Sequence, residues 1–253
     1  MDDAHVRQRL GVAGTARIDV EARRAPTDGL ERSKCRTRWQ EAAAEWRLRF
    51  KLVRYACSHV WMAHSHENHI VAAFLDAYPF DDEATTVLDF ACGKGLTSRG
   101  LAPHCKRIVA VDKNPDSVKF FAEQIQNQGI PSEEMNVVCT ELQGLPTELD
   151  GEKFDVVVCS AAYHHLESIS DTTRTLAFFL KPHGHLLVVD FLTTTDPIPE
   201  DVPHKFGFSE KDIRTVLDAA GLLDFGQERL KSNSQLPDPL GAEHTQLATI
   251  CQQ

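Results

Sequence analysis

The stretch TTVLDFACGKGLTSRGLAPHCKRIVAVD, ending at Asp112, constrains the fold more than any other part of the chain. Thr86 to Phe90 is a short β-branched and apolar run suited to a buried parallel strand. Ala91, Gly93 and Gly95 follow at once, small residues that let the backbone pass close to a ligand. Leu96 to Leu101 starts a helix whose free N–H groups face that ligand, and Arg107 to Val111 is a second strand with Asp112 at its tip. A carboxylate there is placed to accept from both hydroxyls of a ribose, as expected of a nucleoside site at the carboxyl ends of parallel strands.

The wording of the turn separates two kinds of nucleoside ligand. A dinucleotide fingerprint sets three glycines at fixed spacing to seat a pyrophosphate. Here an acid, Asp89, precedes the turn, where it repels a pyrophosphate and suits an aminoacyl chain carrying a cationic amine. With these residues in place, the sequence resembles the class I S-adenosylmethionine (SAM)-dependent methyltransferases, whose first motif runs hydrophobic-hydrophobic-Asp/Glu-x-Gly-x-Gly-x-Gly. Ala91 stands where the first glycine is expected, and Lys94 is unusual in the loop.

The rest of the chain supports an α/β alternation. After Asp112, Asn114 caps a helix with Pro115 in its first turn and Gly129 as its stop. Met135 to Cys139 is the third strand and Phe154 to Ser160, the most uniformly apolar run, the central fourth. A helix over about Ser168 to Leu180, a turn at Lys181-Pro-His-Gly184 and a fifth strand over Leu186 to Phe191 follow. Ser209 caps a helix of about Glu210 to Ala220. Asp224 to Leu230 and Thr245 to Cys251 read as a sixth and seventh strand, the latter as an antiparallel insertion. The resemblance thus implies a Rossmann-like, doubly wound, mostly parallel seven-stranded sheet over about residues 81–253, with helices of residues 39–80 as an amino-terminal lid.

Within those helices, Trp39, Ala43, Trp46, Phe50, Val53, Cys57, Val60 and His64 fall on one amphipathic stripe. Ser65 caps a second helix, about His66 to Ala77, with Ile70, Ala73, Phe74 and Ala77 apolar. His66 and His69 share a helix face, but no carboxylate or Cys completes a ligand set, so no metal is expected. Residues 1–38 carry nine basic residues against six acids without any helical or strand period, and are expected to be disordered or loosely attached.

Charge narrows the partners. The formal net charge is −10, and no dense basic stripe offsets it, which argues against nucleic acid or an anionic membrane. No apolar run reaches the roughly 18 residues of a membrane span, and the acidic start is not a secretory signal. A cytoplasmic location is expected; a mitochondrial transit peptide, the alternative for an Arg-rich start, is disfavoured by its acids. The seven Cys lack any C-x-x-C spacing and read mostly as reduced core thiols.

The resemblance assigns cofactor contacts to Asp89, Ala91, Cys92, Gly93, Gly95, Asp112, Lys113, Glu141, Leu142 and Ser160, with Glu141 and Leu142 matching the adenine slot. The second constellation is the exit of strand four, Ser160-Ala-Ala-Tyr-His-His-Leu166, which presents Tyr163, His164 and His165 where the methyl group must leave. Histidine suits a phenol, thiol or acidic C–H because its unperturbed pKa is near 6.5. The candidate bases are His165, expected to point into the pocket, then His164, then His204 in the loop after strand five. The wording LDFACGKG, AVD, FDVVVCSAAYHHL and LKPHGHLLVVDF is most similar to the small-molecule branch related to the ubiquinone and menaquinone methyltransferases. There is no Asn/Asp-Pro-Pro-Tyr/Phe for planar amines, no Pro-Cys nucleophile and no paired-glutamate loop. A SAM-dependent enzyme acting on a small hydrophobic or aromatic metabolite is expected; the alternative is a SAM-binding subunit or scaffold that does not methylate. The oligomeric state is left open.

Overall fold

The computed structural model describes residues 70–193, 201–229 and 246–252. The expectations for residues 1–69 and for the loop 194–200 therefore lie outside the described residues. This includes the expected disorder of residues 1–38, the amphipathic stripe, the His66 and His69 pair and most of the expected lid.

Five parallel strands form the centre, in the order β3-β2-β1-β4-β5: β1 Thr86–Phe90, β2 Arg107–Asp112, β3 Met135–Cys139, β4 Phe154–Ser160 and β5 Leu180–Phe191. Their side chains alternate between two cores, as the two-residue repeat of a strand requires. Val87, Ile108, Ala110, Val156, Val158, Leu187 and Val189 face one core. Leu88, Val109, Val111, Val157, Cys159, Leu186 and Val188 face the other. Both faces are covered, which is why these strands read as continuous apolar runs. Against the first face pack the helical turns of residues 70–77, through Ile70 and Phe74, with α1 Leu96–Leu101 and α2 Pro115–Gln128 through Leu101, Phe121 and Ile125. Against the second pack α3 Ile169–Phe178 and α4 Glu210–Ala219, through Leu176, Ile213 and Leu217.

The helix ends follow from their residues. The Asn114 side chain accepts from the amides of Asp116 and Ser117, Pro115 occupies the first turn, and Gly129 closes α2 at φ 66°. Ser209 and Asp212 cap α4 reciprocally.

The fifth strand departs from expectation. It starts at Leu180, α3 having already ended at Phe178, and the Lys181 to Gly184 segment lies inside the strand as a bulge. The register runs from Phe154↔Leu180 to Val156↔His185, so β5 carries extra residues there. His183 takes φ 65°, and a Cβ on Gly184 would meet the Lys181 carbonyl oxygen at 2.9 Å. Beyond β5, β7 Gln246–Gln252 pairs antiparallel with β5 and β6 Leu223–Arg229 antiparallel with β7. No helix among the described residues is long and apolar enough to cross a membrane.

Successive connections leave β1 in opposite directions, so β1 and β4 are neighbours at the point where the strand order reverses. A crevice at their carboxyl ends is where such sheets take ligands.

Candidate active site

The loop after β1 turns through positive φ at Ala91 (56°), Gly93 (52°) and Gly95 (73°). For Ala91 the left-handed conformation costs about 1–2 kcal/mol, which a glycine would not incur. Two backbone bonds hold the loop against the tip of β2: Cys92 N–H donates to the Val111 carbonyl at 3.0 Å, and Gly93 N–H donates to Asp112 Oδ2 at 2.7 Å. Asn114 N–H donates to Asp112 Oδ1 at 2.8 Å. Asp112 is thus fixed by one amide on each oxygen. A carboxylate has about four lone-pair sites, so it retains capacity for two more donors.

Asp89 sits beneath the loop rather than on its ligand side. It is fully buried, and Ser98 Oγ–H, on α1, donates to its Oδ2. The other oxygen, Oδ1, is buried with no hydrogen-bond partner. Burial, offset by the Ser98 bonds and reinforced by the charge of Asp112, pushes its carboxyl up to about 7. A side chain with no exposed surface acts on a cationic ligand above the loop through its field. An orphaned carboxylate oxygen under a glycine loop is relieved by positive charge above it. The residues present therefore fit a ligand carrying both a ribose and a cationic sulfonium.

The exit of β4 lies alongside. Ser160 Oγ and Thr97 Oγ1 are 2.8 Å apart, tying α1 to the end of the central strand. Ala161 then turns at φ 49° with its N–H donating to the Val189 carbonyl. Tyr163 turns into the sheet's second core. Its ring is buried in the α3 and α4 core, and its hydroxyl lies 3.0 Å from Thr173 Oγ1. Because the Thr173 hydroxyl donates to the Ile169 carbonyl, the tyrosine O–H is the donor of that pair.

His165 is exposed, whereas His164 is 3% exposed with Nδ1 2.9 Å from Oδ1 of Asp190, near the end of β5. The Phe191 ring stands edge-on to His164 at 4.9 Å. His204 joins them from the following loop: its N–H donates to the His164 carbonyl at 3.2 Å, its ring lies 5.0 Å from Phe208, and its Nε2 is buried without a partner. That loop is stitched to β5 by Phe208 N–H to Phe191 O and Thr193 N–H to Phe208 O. Gly207, at φ 67°, leaves no room there for a side chain, since a Cβ would meet the Leu192 carbonyl oxygen at 2.3 Å.

The remaining candidates divide by burial. Leu142 is buried in the core beside the β3 exit, while Glu141 and Lys113 are exposed at the same end of the sheet. Cys92 is buried, and burial together with Asp89 and Asp112 pushes its thiol up, which removes it as a nucleophile. Lys94 points outward, its Nζ 5.5 Å from the centre of the Phe120 ring. The sequence places Asp190 near the end of the fifth strand without a role, and assigns none to Thr97 or Ser98. The signal for Asp190 was an acid closing the apolar run LLVVDF at the ligand end of the sheet.

With this geometry in hand, comparison with known proteins is informative. Residues 88–188 match the family described as Methyltransferase domain. An uncharacterized methyltransferase of Schizosaccharomyces pombe is 35% identical over 150 residues, covering 54% of this chain and 53% of that one. The ubiquinone biosynthesis O-methyltransferase of Coxiella burnetii is 31% identical over 103 residues, 40% of this chain and 41% of that one. These matches span about half the length, or less, of the curated relatives. Among solved structures, the Burkholderia thailandensis 1,6-didemethyltoxoflavin-N1-methyltransferase, with its substrate and S-adenosylhomocysteine bound, superposes with a TM-score of 0.58 at 18% identity. It covers 93% of this chain and 97% of that one. Residues 88–188 are therefore similar to a methyltransferase domain, and the described residues carry the Rossmann-like α/β fold of the solved methyltransferases.

Proposed function

We propose that the whole protein transfers a methyl group from SAM to a small hydrophobic or aromatic metabolite, at oxygen, carbon or nitrogen, by in-line displacement. The observation that carries this reading is Asp112, held at the tip of β2 by the Gly93 and Asn114 amides beside a loop of three positive-φ residues. In this reading Asp112 accepts from the ribose hydroxyls, and Gly93 and Gly95 let the backbone approach the aminoacyl end. Ala91, Cys92 and Lys113 contribute backbone, and Asp89 supplies negative potential from below. Glu141 and Leu142 border the adenine, and Ser160 lies at the methyl-bearing end.

SAM supplies an electrophilic methyl group on sulfur; the protein needs to orient, exclude water and take up a proton. Orientation supplies roughly 7–11 kcal/mol in well-aligned intramolecular models, and a general base about 10²- to 10⁴-fold. Of the histidines among the described residues, His164 is the buried one with a carboxylate partner. The acidic charge balance supports a small acceptor over a polyanion. The likeness to the Coxiella enzyme over 103 residues supports the ubiquinone-related branch.

Isothermal calorimetry with SAM and with S-adenosylhomocysteine tests the cofactor; micromolar binding of both is expected. Release of S-adenosylhomocysteine that depends on added phenols, quinones or polyketide-like acceptors tests the transfer. Binding of SAM with no acceptor-dependent release across the panel would replace this reading with that of a SAM-binding scaffold.

A further inference from the structure

Asp190 has no part in the cofactor loop, and protein groups engage both of its oxygens. It is 4% exposed. Oδ1 accepts from Phe191 N–H at 2.8 Å and lies 2.9 Å from His164 Nδ1, while Oδ2 accepts from His164 N–H at 3.4 Å. A carboxylate so placed acts through what it holds, and it holds one imidazole.

We propose that Asp190 is a positioning residue. It fixes His164 with the proton on Nδ1, so that Nε2 accepts the proton of a hydroxyl on the methyl acceptor, a phenol or an enol. This rests on the methyltransferase reading and names its substrate class. An ionised carboxylate only accepts hydrogen bonds, so the nitrogen 2.9 Å away carries N–H. A neutral imidazole has one N–H, which leaves the lone pair on Nε2. Among the described residues, the titratable groups around the His164 and Asp190 pair include Cys159 from β4, whose thiol burial and the charge of Asp190 push up, His165, whose ring centre is 4.1 Å from that of His164, and His204, which donates its backbone N–H to the His164 carbonyl. The buried, unpartnered Nε2 of His204 places a second polar atom in the same cluster, suited to a polar acceptor.

A hydroxyl is the acceptor whose reactivity this pair changes most. A carboxylate or thiolate needs no base and is repelled by Asp190. A neutral amine attacks through its lone pair while it still carries its protons. A weakly acidic O–H is a poor nucleophile until the proton leaves. The O–H bond breaks and its proton goes to Nε2, giving an imidazolium paired with Asp190. The oxygen's electron pair forms the O–CH3 bond as the methyl–sulfur bond breaks, that pair staying on sulfur. The imidazolium then releases its proton to water, so that a hydroxyl and a sulfonium become a methyl ether, a thioether and a proton.

The positioning role is read without substrate, from long-range 1H–15N spectra of the histidine rings in the full-length protein at pH 7.5. His164 is expected as the Nδ1–H form, and Asp190→Asn should shift it toward Nε2–H. A doubly protonated His164, or a tautomer unchanged in Asp190→Asn, overturns the proposal. SAM calorimetry on the same samples separates the two readings, because loss of SAM binding in the wild type defeats the methyltransferase reading while the tautomer result stands alone. The acceptor class is read from S-adenosylhomocysteine release with matched phenol and aniline pairs, beginning with 1-naphthol and 1-naphthylamine. Phenol turnover that falls about 10²- to 10⁴-fold in His164→Gln and Asp190→Asn near pH 7, and recovers at alkaline pH as phenolate forms, is expected. Turnover of anilines but not phenols, turnover of neither, or a loss that does not change with pH overturns the hydroxyl assignment.

Discussion

Gly95 and Phe121 meet so closely that a Cβ added to Gly95 would lie 2.3 Å from the ring of Phe121. The loop that faces the cofactor and the helix after β2 are thereby fitted to each other through an absent side chain. Phe121 is fully buried and has nowhere to swing. Gly95 also holds φ 73°, which an L side chain rarely adopts.

Gly95→Ala is therefore expected to destabilise by roughly 2–4 kcal/mol, combining overpacking with left-handed strain. A lower urea midpoint at unchanged m-value measures this. Adding Phe121→Leu should recover part of the loss, because it removes the clash and leaves the strain. Strict additivity of the two substitutions would show that the contact does not carry the cost.

Ala91 presents the opposite case. It holds φ 56° where a glycine is unstrained. Ala91→Gly is expected to stabilise by about 1 kcal/mol, a rise in Tm of roughly 2–4 °C for a domain of this size. The gain is partly offset by the greater freedom of glycine in the unfolded chain. A fall in Tm would mean that the Ala91 methyl packs for more than its backbone costs.

Much of this architecture was legible because it is written in short-range chemistry. The continuous apolar runs Thr86 to Phe90 and Phe154 to Ser160 marked buried strands. Asn114, Gly129 and Ser209 marked helix ends by caps that act within a few residues. What stayed hidden depends on partners far along the chain. Tyr163, His164 and His165 occupy one turn of 3-10 helix, where no period says which of adjacent residues faces inward. Thr173 settles it for Tyr163, and Asp190, 26 residues on, for His164. The Lys181-Pro-His-Gly segment has turn residues because a bulge needs the same left-handed and side-chain-free backbone as a turn. Asp89 was legible as an acid, but its burial was not, since that depends on how α1 closes over it.

Asp112→Ala removes an acceptor of two loop amides as well as the proposed ribose contact. Charge-assisted hydrogen bonds contribute about 1.5–3 kcal/mol each, so SAM affinity should fall by at least roughly tenfold. Calorimetry measures it, and an undiminished affinity in a folded variant would remove Asp112 from the ribose. Asn114→Pro would be a poor control because it deletes the same amide; Lys113→Ala, exposed beside it, should leave affinity within about threefold.

The buried charge at Asp89 sets a dependence of stability on pH whose sign is fixed. Its carboxyl titrates near 7 in the folded chain against an ordinary value of 3.8, so the folded state binds the proton more tightly. The stability that this proton contributes is complete below about pH 3.8, declines as the pH rises, and is lost above about pH 7. Asp89→Asn keeps an oxygen for the Ser98 hydroxyl and has no charge to bury. It exchanges an unpartnered acceptor for an unpartnered donor, a cost that does not vary with pH. The stability of Asp89→Asn minus that of the wild type should therefore rise between pH 4 and pH 7 and level off above, by on the order of a few kcal/mol. Urea unfolding of both proteins without SAM at pH 4.5, 6, 7 and 8.5 measures the difference, and saturating SAM should shrink it by placing positive charge above the wild-type carboxylate. A difference constant across that range would mean that Asp89 ionises as an ordinary carboxylate, and that its Oδ1 has a polar partner in solution.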